Sequence, residues 1–212
     1  MKIKMFTFNP VEENTYILYD DTNECVIVDA GCFHSVEKEE LTQFIKDNSL
    51  IVKHILNTHL HFDHVFGNAF VCKQFGLQPQ AHINDEFLLD GMPAQLRMFG
   101  FPDMEPTPKV GKYLKENDIV EFGNQKLLVL EVPGHSPGSI AFYNKEANCV
   151  IVGDALFRGS IGRTDLVGGN HAQLLNVIQT KLFTLPPQTV VYAGHGPSTT
   201  IENELINNPF FR

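Results

Sequence analysis

Residues 59–64 read His-Leu-His-Phe-Asp-His, placing three imidazoles and a carboxylate in one short segment. The chain holds 9 histidines in 212 residues. At that frequency an H-x-H-x-D-H pattern arises by composition in roughly one sequence of this length in a thousand, far rarer than most short motifs. Imidazole is the commonest metal ligand, and histidines with a carboxylate suit a divalent transition metal. Helix capping accounts for Asp63, as the cap of a helix beginning at His64, but leaves His59, His61 and His64 unexplained. The chemistry expected of the segment is metal binding. His59 and His61 are two apart and project to the same side of an extended backbone, whereas Asp63 and His64 are adjacent and must diverge. One segment can thereby feed two neighbouring metal positions.

Four side chains cannot complete two metal shells, and further candidates stand after other strand-like runs. Residues 127–132 lead into Pro133-Gly134-His135, 149–152 into Gly153-Asp154, and 189–192 into Ala193-Gly194-His195. Each run ends near a glycine, which permits a sharp turn and a close approach, followed by a ligand-type residue. A single His or Asp after a strand is ordinarily a turn or cap residue. Three of them, added to the His-rich segment, point to a common edge, because strands ending at one edge bring their loops together. His34, His54, His82 and His171 do not follow a strand and a glycine in this way and read as structural or surface residues.

The elements that must position these groups follow from hydrophobic periodicity. Strands are expected over 3–8, 16–19 and 25–28, with turn chemistry at Asn9-Pro10 and over 20–23. An amphipathic helix capped by Ser35 covers 35–48. Strand 51–56 runs directly into the His-rich segment, and a helix over 64–75 stops at Gly76. A helix covers 84–98, and 99–117 form an irregular, Pro-rich loop of a length that is either functional or a plain insertion. Strands follow over 118–122, 126–132, 139–143 and 149–152, then a helix over 171–183, a strand over 189–192 and a last helix over 199–206. Strands, then helix, strand, helix occur twice, which suggests two α+β halves with sheets face to face and helices outside.

The length fits one domain over 1–212 with a sizeable core. Hydrophobic residues at 43% and charged residues at 19% fit a globular chain and exclude a disordered one. The formal charge of −9 disfavours nucleic acid and anionic membranes as partners. No apolar run approaches the roughly 18 residues of a bilayer span, and residues 1–8, too short and alternating for a signal h-region, are expected not to be a signal sequence. Cys25, Cys32, Cys72 and Cys149 show no C-x-x-C spacing and read as small buried hydrophobes. A reducing cytoplasm is the expected compartment.

With these motifs in place, the chain resembles the metallo-β-lactamase-fold hydrolases over essentially its whole length. The resemblance rests on Val28-Asp29-Ala30-Gly31, residues 58–64, Pro133-Gly134-His135-Ser136-Pro137-Gly138-Ser139, Gly153-Asp154-Ala155-Leu156-Phe157 and Gly194-His195-Gly196-Pro197. Residues 157–165, 194–201 and Asn208-Pro209-Phe210 make it most similar to the short glyoxalase II-like, or hydroxyacylglutathione hydrolase-like, group. The resemblance implies a four-layer αβ/βα sandwich of two facing mixed sheets with helices outside. It implies two divalent metals, zinc first, with iron or manganese as alternatives. His59, His61 and His135 would hold one metal, Asp63, His64 and His195 the other, and Asp154 would bridge them. Asp63 would also accept a hydrogen bond from the nucleophile, a hydroxide shared by the metals. Asp29 would orient a ligand from behind, or serve only as a strand-end turn residue. The implied activity is hydrolysis of a small-molecule thioester of the hydroxyacyl-glutathione kind. Arg158 and Arg163 follow Asp154 and would be placed to grip a substrate carboxylate, the simpler reading being a structural pair with Asp165. Full-length glyoxalase II enzymes carry a further helical domain that supplies part of the glutathione grip, and this chain is expected to lack it. Two other readings stand beside the hydrolase: a mononuclear-iron oxidoreductase like the persulfide dioxygenases, with iron at His59, His135 and Asp154, and a metal-binding module without catalysis. β-Lactam hydrolysis and nuclease activity rank below these.

Overall fold

Strands that are apolar in unbroken runs must bury both faces, and that property lays out the molecule. A computed structural model describes residues 1–102 and 104–212. The first half runs β1 (Lys2–Phe8), β2 (Glu13–Tyr19), β3 (Glu24–Val28), α1 (Ser35–Asp47), β4 (Ile51–Leu56), α2 (Phe62–Val65), α3 (Asn68–Phe75), β5 (Pro79–Ala81), α4 (Glu86–Met98) and β6 (Lys112–Tyr113). The second runs β7 (Ile119–Phe122), β8 (Gln125–Glu131), β9 (Ile140–Asn144), β10 (Cys149–Gly153), β11 (Leu156–Phe157), β12 (Ser160–Ile161), α5 (His171–Thr180), β13 (Val190–Ala193), β14 (Thr199–Thr200) and α6 (Ile201–Asn207). Among the described residues the strands make two six-stranded sheets, ordered β1-β2-β3-β4-β5-β6 and β14-β13-β10-β9-β8-β7, with β11 and β12 as a separate hairpin.

Period-two alternation sends successive side chains to different layers. Tyr16, Leu18, Val26 and Val28 meet Val129, Phe142 and Ile151 between the sheets. Their neighbours Ile17, Cys25 and Ile27 pack outward on Leu41 and Ile45 of α1 and Val71 of α3. On the opposite outer face Leu130, Ala141 and Val150 pack on Leu174 and Ile178 of α5. The result is the four-layer αβ/βα sandwich of mixed sheets that the sequence leads one to expect. β3 and β4 are parallel, as are β10 and β13. β8 runs antiparallel to β9, which runs antiparallel to β10. The carboxyl ends of β8, β10 and β13 therefore share one edge of their sheet, as those of β3 and β4 share one edge of theirs.

Several elements differ from the sequence reading. The helix expected over 64–75 starts earlier, at Phe62, and is broken at Phe66-Gly67 into α2 and α3. The Gly67 N–H leaves the helical path to donate to the Ala30 carbonyl at 2.7 Å. Asp63 accordingly lies inside the first turn of α2 and is not its cap. Ser35 is the first residue of α1, and the cap position is His34, whose N–H donates to Glu37 Oε2 at 3.0 Å. The short strands β5, β6, β11, β12 and β14 carry too few residues to show a period. The loop expected over 99–117 contains β6, and its Asp103 lies outside the described residues. All four cysteines are free and buried. No helix among the described residues is long and apolar enough to cross a membrane.

Candidate metal centre

β4 ends at Leu56, the chain bends at Thr58, and His61, with extended backbone (φ −67°, ψ 151°), is the cap of α2. His59 and His61 are both buried and meet His135, which follows β8, so that one ligand-type atom from each lies within 4.8 Å of the others. Asp63 and His64, on α2, form a second such group with His195 beyond the end of β13. Asp154, after β10, stands between the groups. Its Oδ1 is 3.4 Å from His64 Nε2, and its Oδ2 lies 3.6 Å from His135 Nε2 and 3.7 Å from His195 Nε2. The close approach depends on Gly194, where a Cβ would sit 2.2 Å from Asp154 Oδ1 and 2.6 Å from His64 Cε1.

The donor set fits a cation site. Nε2 of His59, His61 and His64 and Oδ1 of Asp154 are buried without a hydrogen-bond partner, and His61 Nδ1 lies 2.8 Å from His135 Nε2. Buried polar atoms are ordinarily satisfied. Several unsatisfied lone pairs converging on one place mark a site for divalent ions, and this mixture of imidazole and carboxylate suits zinc, iron or manganese.

Groups behind the ligands turn them. His64 Nδ1 donates to Asp29 Oδ2 at 3.0 Å, and His135 Nδ1 donates to the Arg163 carbonyl at 2.8 Å. His195 Nδ1 faces the Val11 and Glu12 carbonyls at 3.1 and 3.2 Å. The Thr58 hydroxyl donates to Asp29 Oδ2 at 2.6 Å and so accepts from His59 Nδ1 at 3.1 Å. With the proton on Nδ1 in all four rings, each Nε2 lone pair is free to face the centre. Asp29 does this from a left-handed backbone (φ 52°), a conformation rare outside glycine and of the kind retained at functional sites. It also accepts from the Thr58 N–H at 2.7 Å.

The charges divide along the two groups. Burial, then the neighbouring rings, push His59 well below the ordinary histidine range, and the same causes take His61 to about 3. Burial also opposes charge on His64, but Asp63, Asp154 and Asp29 outweigh it and raise its pKa. His195 is likewise raised against burial by its contact with Asp63 and by Asp154. Burial would raise Asp63 and Asp154, yet the imidazoles beside them hold both low. Without an ion, the carboxylates therefore favour the protonated form of His64 and His195.

Above the ligands opens a cavity of about 450 Å³ whose wall includes Phe62, Phe99, Phe157, Ile161 and Leu166, and which Asp63, His135, Asp154 and His195 also line. The Phe62 and Phe99 rings are 5.3 Å apart. Arg163 reaches the cavity, but its guanidinium donates twice to Asp165, each time at 2.7 Å. Arg158 lies exposed on the turn between β11 and β12, outside the lining. The structure thus gives Arg163 the pairing weighed against a substrate role and places Arg158 away from the cavity wall. His34, His54, His82 and His171 are outside the cluster. His54 faces the Glu121 carbonyl and Gln80, and His82 faces Glu131.

Some contributors escape a reading of the sequence. Glu13 is fully buried, with Oε1 unpartnered and 3.9 Å from His64 Nδ1, and burial raises its pKa well above the ordinary value. Asn14 and Tyr16 hold the His195 loop through the Ala193 carbonyl, at 3.1 and 2.6 Å. Nothing local in a β-strand sequence marks these residues. Only the approach of β2 to the end of β13 gives them a role.

A family model described as the metallo-beta-lactamase superfamily matches residues 9–195. Among curated proteins, a probable metallo-hydrolase, YqgX, of Bacillus subtilis (strain 168) is 40% identical, covering 99% of this chain and 97% of its own. The hydroxyacylglutathione hydrolase GloC of Haemophilus influenzae is 35% identical, covering 99% and 98%. Among solved structures, the BLEG-1 B3 metallo-beta-lactamase superposes with a TM-score of 0.89 at 36% identity, covering 99% of each chain. TTHA1623 in a di-iron-bound form superposes at 0.88 with 37% identity, covering 98% and 99%.

Proposed function

The chain belongs to the metallo-beta-lactamase superfamily of metallo-hydrolases, and from that premise we propose that it is a thioesterase acting on hydroxyacyl-glutathione-like thioesters. The observation that supports this most is the convergence of unpartnered imidazole and carboxylate atoms on the floor of an open, largely apolar cavity. The relation to GloC supports the thioester class. His59, His61 and His135 would hold one ion and Asp63, His64 and His195 another, with Asp154 shared. Bound there, divalent ions supply Lewis acidity, activating water at neutral pH and polarising an acyl carbonyl.

The chain's own residues do the rest. Nδ1–H bonds to Asp29, Thr58 and the Arg163 carbonyl keep the rings in one tautomer and orientation, so no reorganisation is needed during the reaction. Asp63 Oδ2 stands at the cavity wall, 3.2 Å from His195 Nε2, where it can accept a hydrogen bond from an entering water and orient it. Phe62, Phe99, Ile161 and Leu166 form an apolar wall that packs the acyl part and excludes bulk water.

The test is metal analysis of the purified protein with a panel of thioesters, with and without chelator. A β-lactam arm is included because BLEG-1 is similar over the whole chain, and an oxygen-uptake arm uses glutathione persulfide. Chelator-sensitive thioester cleavage restored by added zinc is expected. Turnover of the β-lactam alone, or one equivalent of iron with oxygen uptake and no thioesterase activity, would overturn the proposal.

A further inference from the structure

Asp85 is completely buried at the amino end of α4. An aspartate there ordinarily caps its own helix, yet its side chain makes no cap bond. His82 performs that task one turn earlier, accepting from the Asn84 N–H at 3.2 Å. Both oxygens of Asp85 instead reach away from α4. Oδ2 accepts from the Leu60 N–H at 3.2 Å, between His59 and His61. The same oxygen accepts from Ser136 Oγ at 2.7 Å, directly after His135. Oδ1 accepts from the Gly138 N–H at 2.6 Å. A Cβ on Gly138 would sit 2.8 Å from the Asp85 carboxyl carbon, so the loop comes this near only because residue 138 is glycine.

One carboxylate thus ties together the two loops that carry His59, His61 and His135, whose rings come from different sheets. No comparable tie runs from Asp85 to Asp63, His64 or His195. We propose that Asp85 is the positioning residue that sets the separation of the His59–His61 segment from His135, and with it the affinity of the ion site those three rings make. The inference rests on the reading of the cluster as a metal centre.

The experiment compares wild type, Asp85→Asn and Asp20→Asn. Asp20 is a multiply hydrogen-bonded aspartate just past the far end of β2, remote from the cluster. Zinc affinity is measured by chelator competition, cobalt(II) absorption reports ligand geometry, and thermal melts of chelated protein report the fold. Asp85→Asn turns one of the two acceptor oxygens into an amide nitrogen, which faces either the Gly138 N–H or the Leu60 N–H as a donor against a donor, so the tie between the two loops is broken on one side in either orientation. One equivalent should weaken by about tenfold or more, as when a group behind a metal ligand is lost. The other should stay tight, and the cobalt spectrum should change. Asp20→Asn should lower only the melting temperature. If Asp85→Asn does not fold, Ser136→Ala removes a single bond to the same carboxylate and is judged by the same criteria. A folded Asp85→Asn protein that binds both equivalents like wild type, or weakens both equally, overturns the proposal while leaving the metal centre intact. Wild type that binds no zinc or cobalt overturns both.

Discussion

Asp154 touches three rings with its two oxygens, and that single side chain explains much of the local chemistry. Its charge and that of Asp63 favour protonation of His64 and His195 when no ion is present. An incoming cation must displace those protons. Cation affinity should therefore weaken as pH falls through the raised histidine values, with more protons released per ion on the acid side. Calorimetric titration with zinc in buffers of differing ionisation enthalpy measures this directly. The ion-free fold shows the opposite sense. Raised values for His64 and His195 contribute stability that is complete below the ordinary histidine pKa and is lost as pH rises through the raised ones. Asp154→Ala and His59→Ala should each lose bound metal and more than about 100-fold in activity, since even groups behind the ligands cost 10–100-fold. Normal turnover by metal-depleted Asp154→Ala protein would contradict the assignment. The histidines are legible in the sequence because their spacing is improbable by chance. Glu13 and Asp85 are not, since a lone acid in a strand or at a helix start looks like any other.

The strands do the positioning, and most were legible because the apolar runs at 25–28, 51–56, 127–132 and 149–152 admit few alternatives. The split of α2 from α3 was not, because it depends on the Ala30 carbonyl brought alongside by β3. The turn over 20–23 was legible, but its pairing with a turn of the other sheet was not. Asp20, after β2, accepts from the Thr22 N–H, Thr22 Oγ1, the Asn124 N–H and Gln125 Nε2. It thereby ties one sheet's turn to the hairpin between β7 and β8. Asp20→Ala should cost about 2 kcal/mol by stranding these donors. That is roughly 4–8 °C in a chain of this size, with metal content unchanged, as read from melts and metal analysis. At the site edge, Gly194→Ala should do the reverse, lowering bound metal because its methyl would enter the space of Asp154 Oδ1.

Across the whole molecule the two sheets share one inter-sheet core, and the ligand cluster joins the loops of both. Each ion that binds only the folded state should raise stability by about 2.7 kcal/mol at a free concentration a hundred times its dissociation constant. A chelator should then lower the midpoint by roughly 5–10 °C for each ion removed, with the shared core giving one cooperative transition in calorimetry. Two separate transitions would show that the halves unfold independently. Residue types and spacing alone determined the layered α+β order, the apolar faces and the ligand-type residues, because periodicity and rare side-chain clusters are local properties of a chain. The tertiary structure decided the distances at which the ligands meet and supplied the groups behind them that no motif marks. It brought His135 to His61. It also put Asp85 between two loops. Such contacts join residues dozens of positions apart, and their distances are set by how the two sheets close on one another.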